Sequence, residues 1–353
     1  MPMPLEGLHL LVTYRCNWEC EHCFVWGGPD NESTMTLAQL TDVIDQAAQL
    51  GTVDHVYFEG GEPTLAYPVV LKAAAHARSR GLAVGLVTNC FWALDEQDAE
   101  VWLAPFAELG IFDLSVSTYP FFGLPDDAVA GSGGGSEEES GPAAPADATL
   151  LENAIRAARR LGIPVAALEV GAAADLSAVG LTCGDPDAIM YRGRAAVDLA
   201  PAVASRSPES LTTCPFEDLD APQRAHLGAD GELQVCQGLS AGNLWRAGLR
   251  SIVDAYDPHT RPVFRDLIAG GPIELARNCG LQPLRKLYAD ECHLCYELRE
   301  RLRQRFPEVL VPDACYGPAA GATHDADHDD EAETGSAGDE ASAGGPAPGR
   351  HSS

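Results

Sequence analysis

The sequence feature that most restricts the fold of this chain is a group of three cysteines near its start. Cys16, Cys20 and Cys23 are separated by three and two residues, and they follow the apolar run Leu8–Val12. A short apolar run of this kind predicts a buried strand. Three thiolates on the loop after a strand suit three irons of a cubane cluster, which usually has four Cys ligands. The alternative is zinc, with His22 as the fourth ligand.

A second motif follows the next predicted strand, Asp54–Phe58, and has the sequence EGGEP over Glu59–Pro63. Gly60 and Gly61 allow a positive backbone φ or a close approach to a ligand, because neither has a Cβ. Glu62 offers a carboxylate to an ammonium group. For this motif alone, an ordinary turn between a strand and a helix is the alternative.

Together, the CxxxCxxC and GGEP motifs resemble those of the radical SAM superfamily, and the likeness extends over about residues 5–200. In that family the three cysteines bind a [4Fe-4S] cluster whose fourth iron is chelated by S-adenosylmethionine. The reduced cluster cleaves this cofactor to a 5′-deoxyadenosyl radical, which abstracts hydrogen from the substrate. The resemblance therefore implies a site-differentiated [4Fe-4S] cluster on Cys16, Cys20 and Cys23. The chain departs from the family pattern at His22, where an aromatic residue is usual.

The same resemblance implies that residues at the strand ends bind S-adenosylmethionine. These residues are Gly60, Gly61, Glu62, Asn89, Ser117, Arg192 and Arg194. The glycine turn is implied to bind the methionyl amino group, and Asn89 belongs to a TNG-like motif in which Cys90 replaces the usual Gly. Either arginine can pair with the cofactor carboxylate as a bidentate fork or be a solvated surface residue. Ser117 equally fits a satisfied strand hydroxyl. The sequence assigns no residue to the hydrogen transfer itself.

Strands and helices alternate over the first two hundred residues, which predicts an α/β fold with a parallel sheet. One helix, for example, is predicted from a capping box at Thr36 to a stop at Gly51. The motifs all follow strands, as an active site at the carboxyl ends of barrel strands requires. The resemblance implies a partial (β/α)6 TIM-type barrel with a small, cysteine-rich C-terminal α+β extension. Periodicity alone does not distinguish this barrel from an open sheet.

Two domains and a tail are predicted. Residues 1–200 form the radical SAM core barrel, residues 201–316 a SPASM/twitch-like auxiliary cluster domain, and residues 317–353 an acidic tail. Gly, Ser, Glu, Pro and Ala dominate an insertion at residues 131–146, and small and acidic residues dominate the tail. Such compositions bury too little apolar surface to fold, so we expect both segments to be disordered.

The auxiliary domain is predicted from a second cysteine pattern. Asp230-Gly231 is a hairpin turn signal before Cys236, and a CxxC pair follows later in the chain. This pattern resembles the SPASM/twitch extension and implies a second [4Fe-4S] cluster. Its implied ligands are Cys236, Cys292 and Cys295, completed by Cys214 or Cys279. A full SPASM domain has more cysteines after its CxxC, where only Cys315 follows here. A structural zinc site on the same cysteines is the alternative.

Composition excludes some classes of partner. The formal net charge of −29 argues against binding to nucleic acid, which needs clustered Lys and Arg. The sequence shows neither a secretory signal nor an apolar run of about 18 residues, so no membrane partner is expected. Eleven cysteines without such a signal are better explained as metal ligands than as disulfides, and a reducing, cytoplasmic location is expected.

The sequence therefore predicts a radical SAM iron–sulfur enzyme, an oxidoreductase or maturase that uses an electron donor such as ferredoxin or flavodoxin. Families with this extension often modify ribosomal peptides or proteins, so peptide modification is the leading expectation, and small-molecule or cofactor biosynthesis is the alternative. The alternative from another class is a non-catalytic iron–sulfur or zinc protein that senses redox state or acts as a scaffold. The Gly60–Glu62 turn counts against that class, because a sensor needs no site for the cofactor's ammonium group.

Overall fold

The computed structural model of the chain describes residues 2–117, 146–168 and 189–317. Within these residues a mixed sheet of eight strands forms the centre of the molecule, in the order β5-β4-β3-β2-β1-β6-β7-β8. The strands are β1 (Gly7–Thr13), β2 (His55–Gly60), β3 (Ala83–Thr88), β4 (Asp113–Ser117), β5 (Val165–Leu168), β6 (Arg224–Leu227), β7 (Glu232–Cys236) and β8 (Leu239–Asn243). Neighbouring strands from β5 across to β6 are parallel, whereas β7 is antiparallel to both β6 and β8.

Helices connect the parallel strands and continue into the C-terminal half. They are α1 (Leu37–Leu50), α2 (Tyr67–Ser79), α3 (Glu96–Leu109), α4 (Ala146–Arg160), α5 (Arg194–Asp198), α6 (Ala200–Val203), α7 (Leu249–Asp254), α8 (Pro262–Cys279) and α9 (Glu291–Leu302). The predicted start of α1 is confirmed, because Thr36 and Gln39 form a capping box with both backbone N–H groups satisfied. Among the helices described, none combines the length and the apolar character that crossing a bilayer requires.

The two faces of the sheet differ in polarity. Leu8, Leu10 and Val12 of β1 are fully buried in the main apolar core. The His9 ring instead stacks on Tyr57 of β2, with the ring centroids 4.7 Å apart. Because successive side chains of a strand point to opposite faces, Leu8, Leu10 and Val12 share one apolar face, and the other face carries polar groups such as His9 and Tyr57 beside the buried Leu11.

The predicted α/β class is confirmed, and the sheet is open, with β5 and β8 as its edges within the described residues. The hairpin turn at Gly231 is also confirmed, with φ at 88° between β6 and β7. The strands expected in the C-terminal extension, however, continue the main sheet, because β6 pairs in parallel with β1. The boundary near residue 200 stays a prediction. Most of the insertion at 131–146 and the tail after residue 317 lie outside the described residues.

Candidate active site and cysteine centres

The first three cysteines lie on the loop that leaves the carboxyl end of β1. Cys16 and Cys20 are buried, and Cys23 is half-buried. The backbone N–H of Trp18 lies 3.4 Å from Sγ of Cys16, and that of Gly27 lies 3.2 Å from Sγ of Cys23. Such donors stabilise a thiolate or an iron-bound sulfur. The loop is therefore suited to hold ligating sulfurs.

Burial opposes ionisation of two of these thiols, Cys16 and Cys20. It raises the pKa of Cys16 to about 12 and holds the pKa of Cys20 still further above its ordinary value. The N–H of Trp18 lowers the pKa of Cys16 without offsetting burial. Both sulfurs therefore need a bound cation to ionise at neutral pH, because a ligating thiol is deprotonated by its metal. An iron–sulfur cluster meets this requirement, and so does zinc.

The glycine turn after β2 packs directly on the cysteine loop. The N–H of Gly61 donates to the carbonyl of Thr13 at 2.7 Å, and that of Glu62 donates to the carbonyl of Arg15 at 2.9 Å. A Cβ on Gly61 would lie 2.2 Å from the Arg15 oxygen. A Cβ on Gly60, whose φ is 141°, would lie 2.3 Å from the Thr13 oxygen. The close approach that these glycines allow is thus made to the backbone of the cysteine loop.

The carboxylate of Glu62 is fully buried and engaged by the protein. Its Oε1 accepts from the N–H of Thr64 at 3.0 Å, from the Thr64 hydroxyl, and from the Thr88 hydroxyl at 2.9 Å. Its Oε2 accepts from the N–H of Asn89 at 2.8 Å. Burial raises the pKa of Glu62, and these donors act against that rise. The carboxylate thus ties the turn to the end of β3, and its contact with a cofactor ammonium group stays a prediction.

Asn89 connects the end of β3 to the first cysteine. Its Nδ2 lies 2.9 Å from Oδ1 of Asn17 and 3.7 Å from Sγ of Cys16. The next residue, Cys90, has φ at 59°, a left-handed conformation that explains why glycine is usual in this motif. Ser117 lies at the carboxyl end of β4. Cofactor binding by Asn89 and Ser117 stays a prediction.

The contacts of Arg194 lie on the first cysteine loop. This buried side chain donates to the carbonyl of Cys20 at 2.7 Å and to that of Gly27 at 2.9 Å. Its backbone N–H donates to the carbonyl of Cys23 at 2.8 Å, and its guanidinium lies 5.3 Å from the centre of the Trp26 ring. The guanidinium thus holds the backbone of the cysteine loop, and its pairing with the cofactor carboxylate stays a prediction.

Arg192 lies beside Cys236, and its binding of the cofactor stays a prediction. Its Nη1 is 3.2 Å from a carboxylate oxygen of Glu217 and 3.3 Å from Sγ of Cys236. Arg299 brings Nη1 to 3.9 Å from the same sulfur and donates to the carbonyl of Gln237 at 2.9 Å. Both arginines are buried, so two buried cations lie beside one sulfur.

Four of the C-terminal cysteines line one cavity, namely Cys214, Cys236, Cys292 and Cys295. Burial raises the pKa of Cys214 to about 12 and also raises the pKa values of Cys292 and Cys295, so these thiols too need a bound cation to ionise. Cys279, at the end of α8, lies elsewhere, and Arg305 donates to its carbonyl at 3.2 Å. Position therefore favours Cys214 over Cys279 as the fourth ligand, and ligation itself stays a prediction.

A cavity of about 520 Å³ lies on the polar face of the sheet. His22 and Phe24 of the first cysteine loop line it, and so do Arg192 and Gln237 beside the second group. A concave site of this size with a few convergent polar groups is typical of ligand binding. The cavity adjoins both cysteine regions.

One wall of the cavity carries three residues that the sequence analysis did not single out: His9, Glu59 and His226. Burial opposes ionisation of Glu59, but the neighbouring His9 ring holds the pKa of Glu59 at about 2. Burial lowers the pKa of His226 to about 3, so its ring is neutral at pH 7. The period-two alternation of β1 and β2 is a signal that finds His9 and Glu59 on the polar face. It does not place His226 beside them.

Comparison with known proteins gives a family match over part of the chain. A model of the radical SAM superfamily matches residues 10–120. The tungsten-containing aldehyde ferredoxin oxidoreductase cofactor-modifying protein of Pyrococcus furiosus is 34% identical over 108 residues, which are 30% of this chain and 29% of that relative. The PqqA peptide cyclase of Streptomyces rochei is 38% identical over 87 residues, which are 24% and 22% of the two chains. The chain thus spans less than a third of the length of these curated relatives.

Solved structures resemble the chain only weakly. The crystal structure of BtrN in complex with AdoMet and 2-DOIA shares 16% sequence identity, covers 73% of this chain and 85% of that chain, and aligns with a TM-score of 0.42. At that score the likeness carries no argument about this protein. The similarity that bears on its chemistry is therefore the sequence match at residues 10–120.

Proposed function

We propose that the chain, whose residues 10–120 match the radical SAM superfamily, is an enzyme that cleaves S-adenosylmethionine reductively. Cys16, Cys20 and Cys23 would hold the [4Fe-4S] cluster. When bound, the cluster and S-adenosylmethionine supply a 5′-deoxyadenosyl radical that abstracts hydrogen from the substrate. The chain itself binds, orients and shields these groups.

The observation that carries this proposal is the construction of the cysteine loop. The loop is fixed from one side by the backbone of the Gly61 turn and from the other by the Arg194 guanidinium. Backbone N–H groups face Sγ of Cys16 and Sγ of Cys23. Burial raises the pKa of Cys16 and of Cys20, and a bound metal offsets that rise, so the donor set and its surroundings fit an iron–sulfur cluster.

The substrate is proposed to be a peptide or protein. In support, one relative is a peptide cyclase, and another, 23% identical over 103 residues, is a putative peptide biosynthesis protein of Bacillus subtilis. Small-molecule or cofactor biosynthesis is the second candidate, supported by the cofactor-modifying relative of Pyrococcus furiosus. A ferredoxin or flavodoxin would supply the electron.

A second cluster is proposed at the C-terminal cysteines. Cys214, Cys236, Cys292 and Cys295 provide four sulfurs at one cavity, and Arg192 and Arg299 lie there as compensating cations. Four sulfurs also suit zinc. A non-catalytic sensor or scaffold is less well supported, because it gives no use to a cavity of about 520 Å³ that adjoins both cysteine groups.

Anaerobic reconstitution tests both centres and the activity together. We expect about eight irons per chain in the wild type and about four when Cys16, Cys20 and Cys23 are replaced by Ala. With dithionite and S-adenosylmethionine, the wild type should form 5′-deoxyadenosine and the triple variant should not. Cys90→Ala is the matched control, because Cys90 is buried outside both groups.

The outcomes separate the proposals. About four irons and one zinc in the wild type would keep the radical chemistry and make the C-terminal site structural. A fully loaded protein that fails to bind S-adenosylmethionine in equilibrium dialysis would contradict the proposed activity and favour the sensor.

A further inference from the structure

Three ionisable side chains from adjacent strands converge on one wall of the cavity. His9 of β1 is in register with His226 of β6 and with Tyr57 of β2. Glu59 follows Tyr57 by two residues, so it shares the face of the sheet that His9 occupies. The ligand atoms that His9, Glu59 and His226 offer all lie within 4.8 Å of one another.

Hydrogen bonding within this group is incomplete. Oε1 of Glu59 is buried and has no hydrogen-bond partner among the described residues. It lies 3.3 Å from Nε2 of His226, and the same ring nitrogen lies 3.3 Å from Nε2 of the Gln237 amide. That nitrogen has a single lone pair, so it cannot accept the Gln237 N–H and bind a cation at the same time. When the Gln237 amide is turned over, the lone pair is free to bind a cation that Oε1 of Glu59 also contacts.

Two of the separations match those between ligands of one metal ion. Bonds of about 2.1 Å to a tetrahedral or octahedral ion place neighbouring ligand atoms about 3.0–3.4 Å apart. Here Nδ1 of His9 lies 3.2 Å from Oε2 of Glu59, and Nε2 of His226 lies 3.3 Å from Oε1. Two imidazoles and a carboxylate are a donor set of catalytic Zn²⁺ sites and of non-haem Fe²⁺ sites, both with open positions.

We propose that His9, Glu59 and His226 bind one divalent transition-metal ion of the Zn²⁺ and Fe²⁺ class, separate from the metal of the cysteines. Its open positions face the cavity and take an oxygen or nitrogen donor of the molecule bound there. The side-chain oxygen of Gln237, which has no partner in the part of the chain that the structure describes, becomes a further donor when the amide turns over.

The test uses protein whose cysteine sites are already loaded with iron and sulfide, so that thiolates do not compete. After treatment with EDTA, the protein is dialysed against Zn²⁺, and bound zinc is counted by mass spectrometry. We expect one zinc per chain. X-ray absorption at the zinc edge should show nitrogen and oxygen at about 2.0–2.1 Å and no sulfur at about 2.3 Å.

Glu59→Gln and His226→Gln should each weaken zinc binding about tenfold or more. His55→Gln is the matched control, because His55 lines the same cavity outside the group, and it should bind zinc as the wild type does. No bound zinc, a sulfur shell, or equal binding by Glu59→Gln and His226→Gln overturns the proposal. The absorption spectrum is measured on the wild type, so the identity of the ligand atoms does not depend on whether the variants fold. Zinc uptake needs no cleavage of S-adenosylmethionine, so its failure is distinct from failure of the radical chemistry.

Discussion

The two groups of cysteines are assembled in different ways. The first occupies one loop, where the backbone N–H groups of Trp18 and Gly27 face the sulfurs. The second gathers Cys214, Cys236 and the CxxC pair of α9 from three separate segments of the chain. The shape of the first group is therefore set by local backbone geometry, and that of the second by packing between distant elements.

The arginines also serve the two groups differently. Arg194 donates to carbonyl oxygens of the first loop. Arg192 and Arg299 instead approach Sγ of Cys236, at 3.3 and 3.9 Å. A guanidinium that donates to carbonyl oxygens holds a loop in one conformation. A guanidinium beside a cysteine sulfur can instead offset the negative charge of a ligating thiolate. This difference fits the two proposed centres. Three ligands in the first group would leave one coordination position free for a cofactor, whereas four ligands in the second would fill every position, as in structural metal sites.

Among substitutions that test the different roles of these arginines, Arg194→Met is expected to have the largest effect. The change removes two charge-assisted hydrogen bonds, each worth about 1.5–3 kcal/mol, and frees the first loop. We expect formation of 5′-deoxyadenosine to fall at least about tenfold, while about four irons remain in the second centre. Arg277→Met, at an exposed arginine of α8, is the control. Unchanged activity in Arg194→Met would remove the positioning role.

Arg299→Met should affect the second centre instead. Removing one partner of a buried charge arrangement costs about 3–5 kcal/mol, so the loaded protein should melt at a lower temperature and lose the iron of the second centre. The first centre should keep its iron. Arg301→Met on the same helix is the control, because Arg301 donates to the carbonyl of Gln282 in an exposed contact. A variant that keeps both iron and melting temperature would contradict charge compensation by Arg299.

Cys214→Ser and Cys279→Ser form a matched pair that tests which cysteine completes the second centre. Serine ligates iron less well than cysteine, so Cys214→Ser should alter the electron paramagnetic resonance spectrum of the reduced second centre and lower its iron content. Cys279→Ser should leave both unchanged, since Cys279 does not line that cavity among the residues described. The reverse result would move the fourth ligand to Cys279.

The smallest effect concerns the cavity that adjoins both groups. The folded pKa of His226 is about 3 against an ordinary value of 6.5, and that of Glu59 is about 2 against 4.5. Between its folded and its ordinary pKa, each group binds more protons in the unfolded chain than in the folded one. The stability contributed by His226 is therefore present above pH 6.5 and is lost as the pH falls toward 3. Between pH 6.5 and 5, where Glu59 is ionised in both states, this loss amounts to at most about 1.4 kcal/mol per pH unit.

Thermal melting of zinc-free protein over that pH interval measures this loss. His226→Gln should show a smaller decrease in melting temperature than the wild type, because glutamine does not titrate. His55→Gln should retain the wild-type decrease. Equal slopes for wild type and His226→Gln would show that His226 does not contribute.

The sequence by itself determined the features of the protein that depend on residues close together in the chain. The spacing of Cys16, Cys20 and Cys23, the capping box at Thr36 and the turn at Gly231 each depend on a few neighbouring residues, and the structure has the helix start and the turn where they were predicted. The alternation of strands and helices likewise predicted the α/β class, because periodicity reflects which side of each element is buried.

Only the tertiary structure decided which residues from distant segments of the chain come into contact. The parallel pairing of β6 with β1 places His226 beside His9, and packing of separate segments selects Cys214 rather than Cys279 for the second cavity. The sequence left Arg194 either at the cofactor or on the surface, and only the fold shows that it contacts the loop backbone. Such contacts depend on strand register and on packing of the whole core, and no short stretch of sequence encodes either.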